Sequence, residues 1–442
     1  MTAQDADGLP AGRRGPAAAC IAAGISVTVL DAAMVNVALP SAARDLGLTP
    51  SEAVWVVNAY QITVVGSLLP LAALGEIAGF RRVWLWGLAL FIAGAFLCAL
   101  APSFEALLLL RVAQGLGGAA VMGLTGALVR HSYPMSQLGR GIAANALTVA
   151  ACSAAGPSLG AAVLSVASWQ WVFLAHLPIG LAALVAGGRL LPDPPPRPRP
   201  FDWAAAALTM GGFGCVFLGL DLLLHRPVLG GPILLAGLGL VALLVMKEMA
   251  NAVPLLPLDL LRITKVRVAV GASVAMFAAH MVMLISLPFH LSGAGYSAAE
   301  IGLILTAYPV ALGLLAPAAG RFADRVESAW PPILGAVLMA LANLMLAALP
   351  AGGPLWPILG ALILAGVGFG AFQAPNNRTM LAAAPRARAG SAGGMQSTAR
   401  VLGQSIGATA AAFAFAGPGP AAGFATGIAL ALVSAAVNLL RR

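Results

Sequence analysis

Runs of about twenty consecutive apolar residues, separated by short polar or basic breaks, fill most of this 442-residue chain. A run of that length crosses a hydrocarbon core roughly 30 Å thick as a helix, the form that satisfies its own backbone there. Only 9% of the residues are charged, against about 25% in soluble chains, and 60% are hydrophobic. No polar segment is long enough for a soluble catalytic domain, so no enzyme is expected. The first apolar stretch has no cleavage site set apart after it and reads as a permanent helix rather than a removable signal. Cys20, Cys98, Cys152 and Cys215 fall inside apolar runs without pairing or ligand spacing and read as small packing residues.

Turn and charge punctuation predicts fourteen membrane helices, near 16–39, 52–74, 83–101, 105–128, 141–164, 171–190, 203–224, 228–246, 267–291, 299–319, 330–349, 355–376, 390–415 and 420–440. Positive charge accumulates on the cytoplasmic side. With both termini inside, 20 of the 24 lysines and arginines are cytoplasmic; Arg44 and Arg226 lie outside, and Arg111 and Arg400 fall within helices. The net charge of +9 therefore reports orientation in a bacterial inner membrane, and no nucleic-acid partner is needed to explain it.

The proline-dense stretch "LLPDPPPRPRPFDW" (190–203) cannot be helical and closes a first set of six helices. The expected organisation is an all-α multi-pass protein: a six-helix bundle over 1–190, a cytoplasmic linker at 191–202, an inserted helix pair at 203–250 and a second six-helix bundle over 251–442. A weak repeat supports two parallel halves. "GEIAGFRR" (75–82) and "GRFADRVE" (320–327) place a glycine, an acid and arginines at equivalent cytoplasmic points.

Six stretches, taken in order, resemble the major facilitator superfamily, and within it the fourteen-helix drug:proton antiporter family of multidrug exporters. They are "LDAAMVNVALP" (30–40), "GEIAGFRR" (75–82), "RVAQGLGGA" (111–119), "AAGPSLGAA" (154–162), "SWQWVFLAHLPIG" (168–180) and "RVLGQSIGA" (400–408). The chain departs from the family pattern at Glu76, where aspartate is usual, at Ile77 and Phe80, where arginines are, at Gln170 for arginine and at His176 for asparagine. The resemblance implies the major facilitator fold, and it implies that Gly156, Pro157 and Gly160 form the antiporter signature of exporters, a kink that shapes the cavity and seals one side.

Asp31 is the one acidic residue far from a predicted helix end. It lies about fifteen residues into a helix that starts inside, roughly 22 Å along its axis, and Arg111 about six residues into one that starts outside, roughly 9 Å from that face. Both therefore sit at nearly the same depth and can meet. A lone charge at mid-helix costs about 2.5–3.5 kcal/mol, so neither is expected to face lipid. A carboxylate whose water access and pairing change between conformations can load and unload a proton, which makes Asp31 the candidate proton site and Arg111 its partner. The alternative is an ion pair that only fixes the first helix against the fourth. Arg111, Gln114, Gly115 and Gly118 share one helix face, which serves equally for close packing.

Gly75, Glu76, Gly79, Arg81 and Arg82, with Asp324 and Arg325 in the second half, are read as a cytoplasmic ion-pair latch; charge that merely obeys the positive-inside rule is the alternative. Candidate cavity residues are Asn58, Gln61, Gln114, His280, Tyr308, Asn343, Arg400 and Gln404, with packing the alternative for His280 and an outward-reaching head the alternative for Arg400. No metal-ligand cluster or phosphate-binding loop appears, so no cofactor and no ATP are expected. The function expected is a monomeric, proton-coupled exporter of lipophilic small molecules working by alternating access. A dedicated exporter of one metabolite or antibiotic, and a non-transporting receptor or scaffold, are the alternatives. No membrane-embedded acid is found in the second half, so neutral, weakly anionic or monocationic substrates are expected.

Overall fold

Helix ends in this chain are set by a few local devices, and its helix interiors by apolar length. The computed structural model describes residues 8–134, 137–196, 200–250, 258–325, 330–349, 354–383, 389–416 and 420–440. Among them the helices are α1 (Ala11–Leu46), α2 (Pro50–Ala78), α3 (Phe80–Ala99), α4 (Phe104–Ser132), α5 (Leu138–Val166), α6 (Trp171–Leu174), α7 (Leu177–Leu190), α8 (Trp203–His225), α9 (Pro227–Ala250), α10 (Thr264–Gly293), α11 (Ala298–Arg325), α12 (Trp330–Ala348), α13 (Leu355–Ala383), α14 (Ala389–Ala416) and α15 (Pro420–Leu439). No strand occurs among the described residues. Twelve described segments are long and apolar enough to cross a membrane, and α11 adds a shorter apolar stretch, Ala298–Leu314.

With α6 and α7 counted together, every one of the fourteen expected spans falls on a helix, but two boundaries differ instructively. The first helix was expected to stop at Pro40; α1 instead runs on to Leu46 and ends at Gly47, whose φ of 64° supplies the left-handed cap. A proline inside a membrane helix is tolerated where neighbouring helices bury the strained turn, and Ala42 and Ala43 beyond it are buried. The sixth span is broken in two. Pro178 lacks the N–H that would bond Leu174 O, and its ring crowds that carbonyl, so α6 ends at Leu174 and α7 restarts at Leu177. Elsewhere the ends are capped by side chains: Thr49 and Glu52 form a reciprocal capping box on α2, and Ser103 accepts from Ala106 N on α4. Gly79 alone joins α2 to α3 with φ of 101°, a conformation side chains avoid.

The packing repeats. In the first six spans α1 packs on α5 and α7, α2 on α4, and α3 on α4 and α7; in the last six α10 packs on α14 and α15, α11 on α13, and α12 on α13 and α15. Each pair has its counterpart in the other bundle, as two parallel repeats require. The contacts between bundles obey the same rule, α2 meeting α14 and α11 meeting α5. A close backbone approach is duplicated as well: a Cβ on Gly117 would lie 2.5 Å from Gly87 O at the α3–α4 crossing, and one on Gly335 would lie 2.4 Å from Gly368 O at the α12–α13 crossing. Small residues that let backbones touch are the usual glue of membrane helices. Gly117→Val is therefore expected to force α3 off α4 and cost about 1–3 kcal/mol. Gly126→Ala, whose Cβ meets nothing within 4 Å, should be neutral. Melting temperatures in detergent compare the two.

The inserted helices α8 and α9 pack on each other, and α8 leans on α2 and α14. Asp202 caps α8 by accepting from Ala205 N and pairs with Lys247 near the end of α9. The Lys247 ammonium holds the Asp202 carboxyl below the usual carboxylate range, so this tie is kept as the pH falls to about 4. One apolar cluster joins the bundles at the ends that the charge rule places outside. It runs through Met34 to Ala43 of α1, Val54 and Val57 of α2, Ile285 and Phe289 of α10 and Ala411 to Phe415 of α14. Ser51 Oγ donates to Ala412 O at 3.1 Å in the same layer, and the Ser158 and Thr306 hydroxyls join α5 to α11.

Candidate functional site

Asp31 and Arg111 meet. Helix α1 carries Asp31 and α4 carries Arg111 to a common depth, and both side chains are buried, at 0% and 1% exposure. Arg111 Nη1 donates to Asp31 Oδ2 at 2.8 Å and to Gln114 Oε1 at 2.7 Å, while Gln114 Nε2 donates to Asp31 Oδ1 at 2.9 Å. Gln114, one turn along α4, thus bridges cation and anion. Arg111 Nε donates to Val56 O at 2.9 Å, its guanidinium lies 4.5 Å over the Tyr60 ring, and the Phe173 ring flanks it at 5.6 Å. Charge-assisted bonds and aromatic faces offset the desolvation that burying the pair costs. Three acceptors and two rings hold the guanidinium, of which only one is the carboxylate. Arg111 therefore keeps partners when Asp31 is neutral.

The rest of that face of α4 packs. Gly115 lies against Tyr60 O and Thr63, and Gly118 against the Tyr60 hydroxyl. The α5 signature borders the same centre from the other side: a Cβ on Gly156 would lie 2.3 Å from Ala33 Cβ, and one on Gly160 3.2 Å from Met34 Cα, two and three residues beyond Asp31. Its opposite side faces the second bundle, where a Cβ on Gly302 of α11 would lie 2.7 Å from Pro157 O. Helix α5 thus touches both the carboxylate's own turn and the contact between bundles.

Residues 21–408 match the Major Facilitator Superfamily. The chain belongs to this superfamily. It is 42% identical over 454 residues to the uncharacterized transporter YebQ of Escherichia coli (strain K12), covering 100% of this chain and 98% of that one. It is 29% identical to the tetracenomycin C resistance and export protein of Streptomyces glaucescens, over 90% of this chain and 75% of the relative. Among solved structures, a peptide transporter POT in complex with sulfate superposes with a TM-score of 0.71 at 17% identity, over 97% and 93% of the two chains, and shows the shared fold. The protein is thus a multi-pass membrane transporter of the major facilitator fold.

The expected cavity residues of this superfamily member separate into groups. Asn58 and Gln61 are buried on α2, at 0% and 5% exposure, and both polar atoms of the Asn58 side chain lack a partner among the described residues. Arg400 and Gln404 lie half-buried one turn apart on α14. In the second bundle His280 stacks on Tyr308, with centroids 4.8 Å apart, and tilts against Phe369 at the same distance. Neither ring nitrogen of His280, nor the Tyr308 hydroxyl, has a bonding partner among the described residues. Asn343 stands apart, donating to Met339 O at 3.0 Å and packing against Gly427 of α15 inside its own bundle. Among the described residues no group of three His, Cys, Asp or Glu side chains is placed to hold a metal.

Of the residues expected to form the latch, Arg81 has a described partner in the linker. Arg81 turns to the linker, pairing with the Asp193 carboxylate and donating to Gly188 O at 3.3 Å, while Arg13 donates to Arg189 O at 2.9 Å. Glu76 and Arg82 are exposed at the α2–α3 turn, and Gly75 packs on Leu124. An arginine at the start of a helix gains little from that positive end, which favours partners beyond it. The side chains of Asp324 and Arg325 lie outside the described residues. One site residue was absent from the expected set: His176, 1% exposed, places Nε2 3.8 Å from Asp31 Oδ1. Its signal in the sequence is its own departure from the family pattern.

Proposed function

We propose that the protein is a proton-coupled exporter of lipophilic small molecules, in which Asp31 carries the proton and Arg111 is its conformational counter-ion. The observation that carries this reading is the buried Asp31–Arg111–Gln114 network, the sole fully buried carboxylate–guanidinium pair among the described ion pairs. A scaffold has no use for two costly charges at one depth. Proton binding to Asp31 removes its ion pair and leaves Arg111 on Val56 O, Gln114 and the two rings. Helix α5, wedged between the Asp31 turn and α11, then passes the change to the contact between bundles. Packing of the outer ends of α1, α2, α10 and α14 corresponds to a state closed on that side, with the proton exchanged and the substrate taken up from the cytoplasm. The name of the Streptomyces relative supports export, and its single named compound keeps a dedicated exporter as the second reading.

Inverted membrane vesicles separate these readings. A proton gradient, acid inside, is expected to drive accumulation of lipophilic neutral or monocationic dyes, and a protonophore is expected to collapse it. Accumulation that ignores the protonophore would overturn proton coupling, and uptake of one compound across a wide panel would establish the dedicated exporter. Strong resistance to divalent cationic antiseptics on expression would contradict the substrate class, since among the described residues no acid lies deep in the second bundle to hold a second positive charge. The proposed topology, drawn from the charge rule, has both termini and the linker in the cytoplasm, so an alkaline phosphatase fused at the C-terminus should be inactive; an active fusion would reverse it.

A further inference from the structure

Asp31 faces Arg111 through Oδ2 and His176 through Oδ1. The imidazole is 1% exposed, its Nε2 lies 3.8 Å from the carboxylate, and the backbone group it faces is the Val172 carbonyl one turn back. A neutral imidazole carries one donor and one acceptor; a carbonyl meets only the donor, and burying the acceptor unmet costs free energy that a packing side chain would not incur. A shift of about 0.8 Å brings Nε2 within bonding distance of Oδ1. Such a shift is cheap here, because His176 occupies the gap between α6 and α7 rather than a continuous helix. The other groups around the centre are Tyr60 of α2, the Cys98 thiol and Phe91 ring of α3, and Arg111 and Gln114 of α4.

We propose that His176 is a second proton-binding group of this site, sharing with Asp31 the proton that drives transport. The inference rests on the reading of Asp31 as the carrier. While Arg111 is paired, the carboxylate is neutralised and the imidazole stays neutral. When Arg111 leaves Oδ2, one proton enters between Oδ1 and Nε2. It sits on the carboxyl and is accepted by Nε2, or sits on Nε2 and is donated to Oδ1. Either way a single proton is bound and balances the carboxylate, while the Arg111 guanidinium is held by Val56 O, Gln114 and the two rings. Asparagine at this position makes hydrogen bonds but binds no proton.

The test is proton release on adding a lipophilic monocationic dye to purified protein, followed between about pH 5 and pH 9. His176→Asn is expected to move the midpoint of that curve by about one pH unit or more. An unmoved midpoint in folded His176→Asn protein overturns the proposal, whereas no release from the wild type overturns the carrier role of Asp31 itself. A second measurement needs no change at position 176. In a chain carrying His131→Gln, His225→Gln, His280→Gln and His290→Gln, the remaining imidazole is followed by infrared difference spectroscopy with labelled histidine across the same pH range. A protonation band that shifts when Asp31→Asn is added supports the shared proton. An imidazole silent throughout, or indifferent to Asp31, contradicts it.

Discussion

Asp31→Asn is expected to abolish concentrative export while downhill exchange of substrate continues. Asparagine keeps the size of the carboxyl and an oxygen that accepts from Arg111 Nη1, so the 2.8 Å contact survives as an ordinary hydrogen bond. It cannot release a proton, which fixes the site in something like its loaded form. The variant should reach the membrane, because a neutral amide costs less to bury than a charge, and Arg111 retains Val56 O, Gln114 Oε1 and the Tyr60 and Phe173 rings. Dye accumulation in energised inverted vesicles, set beside counterflow in proteoliposomes without a gradient, separates the two activities. A purely structural pair reverses the order of damage: folding suffers first, and whatever protein survives stays coupled.

Arg111→Leu is expected to have the larger effect on stability. It leaves Asp31 at 0% exposure with Gln114 as its one hydrogen-bond donor, an uncompensated buried charge that costs about 3–5 kcal/mol. Folded yield should fall accordingly. Adding Asp31→Asn to the same chain removes that charge, and the double variant should recover a large part of the loss even though transport stays uncoupled. The cycle of wild type, two single variants and the double variant isolates the coupling. Additive losses would mean that the two side chains act independently, despite their contact.

The pair was legible in the sequence because depth in a membrane helix is arithmetic: 1.5 Å per residue from a known face places Asp31 and Arg111 together before any coordinates exist. Gln114 came with Arg111, one turn along the same helix. The two-bundle plan was legible for a similar reason, since the glycine–acid–arginine loops at 75–82 and 320–327 mark equivalent points of one repeat. His176 was hidden. Its approach to Asp31 depends on the break that Pro178 makes between α6 and α7, and nothing in the apolar run of that span separates this proline from Pro40, which α1 carries without stopping. The partner of Arg81 was hidden too. Asp193 belongs to a stretch read as a passive connector, and only the packing of α7 beside α3 brings it to the helix start.

Coupling itself is tested most directly by the protons that substrate displaces. Purified wild-type protein in weakly buffered detergent solution, with a pH indicator present, is expected to release protons when a lipophilic monocationic dye is added. Asp31→Asn protein, at matched folded yield, is expected to release none. Proton release of equal size from both would contradict the account and remove Asp31 as the carrier, leaving His280 of the second bundle as the group to examine next.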